Sequence, residues 1–182
     1  MKFTRFTFGI LAIAAIASAA DTARPSPDFT IERPGAPSLE LTQYRGKVVA
    51  LAFIYTTCSH CQQLTVELNQ IAPDYAGRGV QFLECAFNED AVPSMPEFLK
   101  RFSPAFPVGY STMVAVRSYL QYSSVDRRPL YVPHLVFLDR AGVIRADYPG
   151  EDTFFQNANA NIRAQLDKML KVAAPKKSSA AK

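Results

Sequence analysis

The chain lacks tryptophan and contains only three cysteines and two histidines among its 182 residues. Three cysteines are too few to cross-link a small fold, and an odd number leaves one without an intramolecular partner. Hydrophobic residues make up 48% and charged residues 20%, which excludes a disordered or collagen-like chain and supports one domain with a substantial core. Basic residues outnumber acidic ones by 20 to 16, but much of that excess lies at the two ends. Nothing in this balance predicts nucleic-acid binding.

The first 20 residues are typical of an export signal. Lys2 and Arg5 precede a nearly continuous apolar run over 6–16, and Ala17-Ser18-Ala19 has the small-residue pattern of a cleavage site. The run is shorter than the ~20 residues of a membrane span, which favours cleavage over an uncleaved N-terminal anchor. No second run is long enough to span a bilayer. We therefore expect an exported, periplasmic protein without a membrane span after cleavage, in a compartment where disulfides persist.

The remaining chain alternates strand-like and helix-like stretches. An extended, proline-rich segment over 21–37 leads into a predicted domain over 27–172, and a basic tail over 173–182 has a disordered composition. The predicted strands are 48–55, 80–87, 134–138 and 143–146, and the predicted helices cover 61–75, 93–102, 112–122 and 155–169. This order predicts an α/β fold with a central mixed sheet flanked by helices.

Cys58-Ser59-His60-Cys61 stands where the long apolar strand ends and the first helix begins. Unpaired N–H groups and the positive end of the helix dipole stabilise an anion there, so Cys58 is the predicted nucleophile. The two-residue spacing on a first turn lets the sulfurs approach bonding distance, which predicts a Cys58–Cys61 disulfide with Cys61 as the shielded thiol. Ser59 and His60, the latter when protonated, are predicted to tune the pair.

A closed zinc site is a weaker interpretation of the same motif. Structural zinc normally takes four ligands, and only Cys85, His60 and His134 are left to complete such a set. Cys85 lies inside an apolar strand and is predicted to be an inert core thiol.

Pro133 directly precedes the late apolar strand, and here the chain resembles the thioredoxin superfamily, whose members place a cis-proline before that strand. Pro133 follows Cys61 by 72 residues, which is similar to the exported TlpA-like group, including ResA and the cytochrome c maturation thioredoxins. The segments 44–49 and 137–144 also look like those of the group. The resemblance implies a thioredoxin fold with an inserted strand and helix after the CxxC helix.

The resemblance also implies the chemistry. Cys58 is expected to attack a partner disulfide, Cys61 to resolve the mixed disulfide, and the loop at Val132-Pro133 to hold an extended substrate. It implies a thiol–disulfide oxidoreductase without an organic cofactor. The expected partners are cysteines of exported proteins, as in cytochrome c maturation, together with a membrane electron donor.

Several positions depart from the family pattern. Thr57 replaces the usual tryptophan, Leu64 replaces the acid three positions after the second cysteine, and His134 replaces the threonine after the proline. Glu67 and Glu84 are weak substitutes for the missing acid. His60 and Val132 resemble the oxidising DsbA type, whose more stable thiolate makes a better oxidant. The overall architecture nevertheless favours a reductant.

Copper delivery is the alternative function. The stretch 53–58 resembles the segment that leads to the cysteines of Sco copper proteins, and His134 stands near the place of that family's histidine. Two thiolates and an imidazole, here Cys58, Cys61 and His134, suit copper. However, Sco proteins space their cysteines by three residues, whereas this chain has two.

Overall fold

The computed structural model describes residues 23–123, 125 and 128–171. The predicted export signal over 1–20 and the predicted tail over 173–182 lie outside these residues. Within the described part of the chain, no helix is long and apolar enough to cross a membrane.

Eight strands form one mixed sheet in the order β1-β8-β7-β4-β5-β6-β2-β3. The strands are β1 (Arg24–Pro25), β2 (Thr30–Arg33), β3 (Ala36–Glu40), β4 (Val48–Ile54), β5 (Val80–Ala86), β6 (Val108–Tyr110), β7 (His134–Leu138) and β8 (Val143–Tyr148). The helices are α1 (Ser59–Tyr75), α2 (Ala91–Phe102), α3 (Met113–Tyr119) and α4 (Ala158–Lys171), with short 3-10 turns at Leu41–Tyr44 and Thr153–Asn157.

Strand β4 is the centre of the sheet, and all seven of its residues are buried. It pairs in parallel with β5 and antiparallel with β7, so both of its edges are hydrogen-bonded. Its side chains alternate between two apolar layers, as a strand covered on both faces requires. Ala52 belongs to the layer under α1, α2 and α4, whereas Phe53 belongs to the layer under α3.

The topology brings several chain segments to one edge of the sheet. Strands β4, β5 and β6 run parallel, so their carboxyl ends and the starts of α1, α2 and α3 lie at that edge. Strand β7 is antiparallel to β4, so its first residue, His134, is at the same edge. The Cys58–Cys61 motif and Pro133 are therefore brought together although they are far apart in sequence.

The predicted α/β architecture is confirmed, including the extra strand and helix between α1 and β7, where β5–α2 is followed by β6–α3. Two features were not predicted. Strand β6 has only three residues, and β2 and β3 form an antiparallel hairpin around Gly35, whose φ of 69° suits glycine. Short strands of this kind depend on pairing with neighbours more than on their own apolar pattern.

The hairpin joins the sheet where β2 crosses close to β6 at Gly109. A Cβ atom at Gly109 would overlap the backbone oxygen of Glu32 and lie 2.7 Å from Cγ2 of Ile31. We expect Gly109→Ala to lower the free energy of unfolding by about 1 to 3 kcal/mol, because the added methyl group pushes β2 away from the sheet. Urea denaturation measures this loss.

Gly77→Ala is the matched control, because a Cβ atom at Gly77 would meet no atom within 4 Å. Equal stability of the two variants would contradict the close approach of β2 to Gly109.

Candidate active site

Cys58 occupies the N-cap position of α1. Its backbone is extended, with φ of −81° and ψ of 123°, and its carbonyl oxygen accepts a hydrogen bond from the Gln62 N–H at 3.0 Å. Its side chain is half-exposed, and both Cys58 and Cys61 are thiols in this structure. Cys58 therefore combines a helix N-cap position with an accessible sulfur, and its side chain accepts no hydrogen bond from the N–H groups of the first turn.

Cys61 is one turn further along α1 and is fully buried. Burial raises the pKa of the Cys61 thiol well above its usual range, and the neighbouring Cys58 thiol adds to that increase. The backbone N–H of Tyr55 donates a hydrogen bond to the Cys61 sulfur at 3.4 Å, and this bond opposes part of the increase in pKa. The two thiols thus differ as the sequence predicts, with one accessible and the other shielded.

The loop between β4 and α1 is held by side chains from distant elements. Asn88, at the end of β5, accepts a hydrogen bond from the Thr56 N–H at 3.0 Å and donates one to the Thr56 hydroxyl at 2.9 Å. That hydroxyl also pairs with Ser94 of α2 at 2.7 Å, and the Gln62 amide donates to the Thr56 carbonyl at 2.8 Å. These contacts fix the backbone directly before Cys58. Sequence reasoning missed them because Asn88 and Ser94 carry no local motif.

The Val132–Pro133 peptide bond is cis, and Pro133 lines a groove of about 540 Å³ together with His60. The other wall of the groove comes from Gly150 and the segment 155–160. A Cβ atom at Gly150 would lie 2.8 Å from the Val132 carbonyl carbon and oxygen, so the absence of a side chain there allows close packing against the loop. Ser59 and His60 are both exposed beside this groove. The structure therefore brings together Cys58, Ser59, His60, Cys61, Val132 and Pro133.

The alternative copper ligands are not brought together. His134 shares its face of β7 with Val136 and Leu138, which pack on the α3 side, whereas Cys61 lies under α1 on the opposite side. His134 Nε2 is hydrogen-bonded to Asp147, which also accepts a hydrogen bond from the Arg24 guanidinium at 3.5 Å. No group of three His, Cys, Asp or Glu side chains in the described ranges is placed to hold a metal ion.

Glu84 is one of the two carboxyls considered as substitutes for the missing family acid. It lies in β5, is fully buried on the α1 side, and accepts a hydrogen bond from the Thr65 hydroxyl at 2.9 Å. Burial raises the pKa of Glu84 to about 8, and the Thr65 hydrogen bond opposes part of that increase. The sequence carried a signal for this site, because a glutamate inside an apolar strand is rarely buried without a partner. Glu67, the other candidate, lines the groove and accepts from Gln63 and Asn159.

Comparison with known proteins gives one family and several similar folds. The Redoxin family model matches residues 21–164. The thiol-disulfide oxidoreductase ResA of Geobacillus thermodenitrificans is 32% identical over 83 residues, which are 46% of this chain and 47% of that protein. The chain thus spans about half the length of the first curated relatives that it matches. The ResA protein of Bacillus thuringiensis is 23% identical over 152 residues, covering 84% of this chain and 78% of the relative.

Two solved structures illustrate the similarity of fold. A thiol:disulfide interchange protein of the thioredoxin family from Chlorobium tepidum superposes with a TM-score of 0.66 at 20% identity, covering 81% of this chain and 97% of the other. A thiol:disulfide interchange protein from Bacteroides sp. gives 0.63 at 16% identity, covering 84% and 91%. The fold is therefore thioredoxin-like.

The buried carboxyl of Glu84 predicts a pH-dependent stability. The folded protein keeps the Glu84 proton up to a pKa of about 8, whereas the unfolded chain loses it near the ordinary glutamate pKa of 4.5. The unfolded state binds fewer protons between these values, so this group makes the free energy of unfolding fall as pH rises through that window. The glutamine of Glu84→Gln cannot ionise. Between pH 5 and pH 8, we therefore expect the wild type to lose about a few kcal/mol more of its free energy of unfolding than Glu84→Gln loses.

Urea denaturation at several pH values measures this difference. Glu40→Gln is the matched control, because Glu40 also accepts hydrogen bonds from a threonine hydroxyl, that of Thr30, but lies on β3 away from the cysteines. Parallel stability curves for wild type and Glu84→Gln would show that Glu84 is ionised in the folded protein at neutral pH.

Proposed function

The chain belongs to the Redoxin family, and from this membership we propose that it is a thiol–disulfide oxidoreductase that acts on cysteines of exported proteins. The observation that carries the proposal is the unequal pair at the start of α1. Cys58 is half-exposed at the helix N-cap, and Cys61 is buried one turn later beside the Tyr55 N–H. An accessible nucleophile next to a shielded second thiol is the arrangement that disulfide exchange requires.

The reaction passes two electrons between sulfur atoms. The Cys58 thiolate attacks one sulfur of a partner disulfide, forms a mixed disulfide, and releases the other partner sulfur as a thiolate. The Cys61 thiolate then attacks the Cys58 sulfur, closes the Cys58–Cys61 disulfide, and releases the second partner sulfur. The partner ends as a dithiol after taking two protons, and this protein ends oxidised. No organic cofactor or metal takes part in these steps.

The groove beside the pair supports an extended polypeptide as the substrate. Its walls carry the amide side chains of Gln63, Gln156, Asn157 and Asn159, which can both donate to and accept from a peptide backbone. Leu64 and Phe155 add apolar surface between them. Pro133 lines the groove together with His60, and Val132 directly precedes Pro133 across the cis peptide bond. We assign Val132 and Pro133 to substrate binding for this reason.

We place the protein in the periplasm as a reductant of the cytochrome c maturation type. The predicted export signal in residues 1–20 supports the location, and the resemblance to the TlpA-like group supports the direction of electron flow. A protein that reduces partner disulfides must itself be reduced again, so the proposal includes a membrane electron donor that delivers a dithiol to the Cys58–Cys61 disulfide.

We expect Cys58→Ser to abolish disulfide reduction and Cys61→Ser to accumulate mixed disulfides with partner proteins, because the second variant can attack but cannot resolve. Non-reducing electrophoresis of periplasmic extracts, followed by identification of the captured proteins, measures this outcome. Cys85→Ser is the matched control, because the Cys85 thiol is fully buried on the α3 side of the sheet. It should behave like the wild type.

Two results would contradict the redox function. One is the absence of captured protein with Cys61→Ser, and the other is tight copper binding by both the wild type and Cys58→Ser. Together they would favour copper delivery instead.

The reduction potential of the pair tests the direction of electron flow. We expect a value below about −230 mV in dithiothreitol buffers, which marks a reductant, whereas about −120 to −180 mV would mark an oxidase or isomerase. His60→Ala identifies the contribution of the neighbouring imidazole. A protonated imidazole beside the thiolate stabilises the reduced form, so removing the imidazole should make this variant more reducing than the wild type.

A further inference from the structure

Tyr55 lies between the end of β4 and Cys58, and its backbone N–H donates a hydrogen bond to the Cys61 sulfur at 3.4 Å. Such a donor stabilises a negatively charged sulfur more than a neutral one, because hydrogen bonds to charged groups are the stronger ones. The same bond opposes part of the increase that burial causes in the pKa of Cys61. The orientation of the Tyr55 N–H therefore matters whenever Cys61 carries negative charge.

The segment directly after β5 holds the backbone on both sides of Tyr55. The Phe87 N–H donates to the Ile54 carbonyl at 3.2 Å, and the Thr56 N–H donates to the side-chain oxygen of Asn88 at 3.0 Å. The Asn88 side chain thus extends the β4–β5 hydrogen bonding by one bond past the end of both strands. The Tyr55 ring packs on Phe87, with the ring centroids 4.7 Å apart. These contacts leave the Tyr55 N–H little freedom to turn away from the sulfur.

A chain of hydrogen bonds fixes the Asn88 amide in turn. Its nitrogen donates to the Thr56 hydroxyl at 2.9 Å and to the Asp90 carboxylate at 2.6 Å. The Ser94 hydroxyl donates to the Asp90 carbonyl at 2.6 Å, so the Ser94 oxygen accepts from the Thr56 hydroxyl at 2.7 Å. Thr56 is only 4% exposed, and its carbonyl accepts from the Gln62 amide. Because every polar group of Thr56 is bonded, the network specifies one orientation of this residue.

We propose that Asn88 is a positioning residue, which holds the Tyr55 N–H against the Cys61 sulfur while that sulfur carries negative charge. This proposal rests on the oxidoreductase function proposed above. In the resolving step, the Cys61 thiol loses its proton to solvent, and the resulting thiolate attacks the Cys58 sulfur. The bond between Cys58 and the partner sulfur breaks, and its electron pair leaves on the partner sulfur.

The same donor acts when the oxidised pair is reduced again. An incoming thiolate attacks the Cys58 sulfur, and the electron pair of the Cys58–Cys61 bond leaves on Cys61, which then takes a proton from solvent. The two directions share one transition state, in which Cys61 carries part of the negative charge. The Cys61 sulfur is neutral in the thiol and in the disulfide, so the Tyr55 N–H contributes little to either end state. Misplacing this donor should therefore change both rates and leave the equilibrium between them nearly unchanged.

Both directions can be followed in Asn88→Ala. Reduced protein is mixed with 5,5′-dithiobis(2-nitrobenzoate) in a stopped-flow instrument, where attack by Cys58 releases the first thionitrobenzoate and attack by Cys61 releases the second. Oxidised protein is mixed with excess dithiothreitol, and its thiols are counted over time with a maleimide that adds mass. We expect the second release and the reduction by dithiothreitol each to slow by about 10-fold, because a hydrogen bond to a charged sulfur is weakened. The first release should keep the wild-type rate.

The equilibrium constant with dithiothreitol separates a positioning role from a structural one. Asn88→Ala should keep this constant within about twofold of the wild type, since the Cys61 sulfur is neutral in both end states. A variant that merely distorted the cysteine pair would change the relative stability of the dithiol and the disulfide, and with it this constant.

Asn69→Ala is the matched control. Asn69 also connects remote segments, because it donates to the Phe102 carbonyl and accepts from the Ala105 N–H, both at 2.9 Å. It lies on α1 about two turns beyond Cys61 and is bonded to the end of α2 rather than to the loop before Cys58. Its loss should lower the stability of the fold and leave both rates at wild-type values.

Thr56→Val provides a second, independent variant. It removes the hydroxyl that Asn88 and Ser94 share but keeps the Thr56 N–H, so we expect a smaller loss of about threefold in the same two rates. Thr56→Ser restores the hydroxyl and should recover the wild-type rates. Circular dichroism establishes that each variant is folded, and Thr56→Val carries the test if Asn88→Ala is not.

The proposal is overturned if Asn88→Ala, or Thr56→Val in its place, releases the second thionitrobenzoate at the wild-type rate. It is also overturned if the first release slows equally, or if the loss of rate is matched by an equal change in the equilibrium constant. Failure of the wild type to release any second equivalent is a different result, because it would contradict the resolving role of Cys61 and with it the proposed function.

Discussion

Strand β4 determines where the chemistry of this protein takes place. Its residues are buried on both faces and hydrogen-bonded on both edges, so its carboxyl end is fixed relative to β5 and β7. Helix α1 begins at Ser59, five residues after Ile54, and the short connection places Cys58 at the helix N-cap. Because β7 pairs with β4 and begins at the same edge, Pro133 lies at the edge that carries the cysteine pair. The groove and the pair are consequences of one central strand.

The polar groups inside this framework are held by partners that are remote in sequence. Thr56 is bonded to Asn88 and Ser94, which belong to the segments that follow α1. On the α3 side of the sheet, His134 is hydrogen-bonded to Asp147 of β8. Buried hydrogen bonds of this kind contribute modest net stability but are costly to leave unmade, so they specify one arrangement of the loops. The β5–α2 unit thereby helps to position the active-site loop.

The same environment explains why the two cysteines differ. Cys58 is partly exposed at a helix start, whereas Cys61 lies in an apolar layer that disfavours its thiolate. Two cysteines separated by only two residues thus become an accessible nucleophile and a shielded thiol, because a single helical turn lies between them. Glu84 shares the shielded layer, and its carboxyl is subject to the same penalty for charge.

The sequence by itself determined β4, α1, the helix-start position of Cys58 and the place of Pro133 before β7. All of these follow from local patterns: an unbroken apolar run, helical spacing from Cys61 to Tyr75, and a proline at a strand start. Tertiary structure alone decided the β2–β3 hairpin, strand β6, the groove wall from Gly150 onward and the face on which His134 lies. It also decided that Asn88 bonds to Thr56 beside the cysteine pair. Each of these depends on contacts between segments far apart in the chain, and local periodicity carries no information about which remote partner will bury or bond a given side chain.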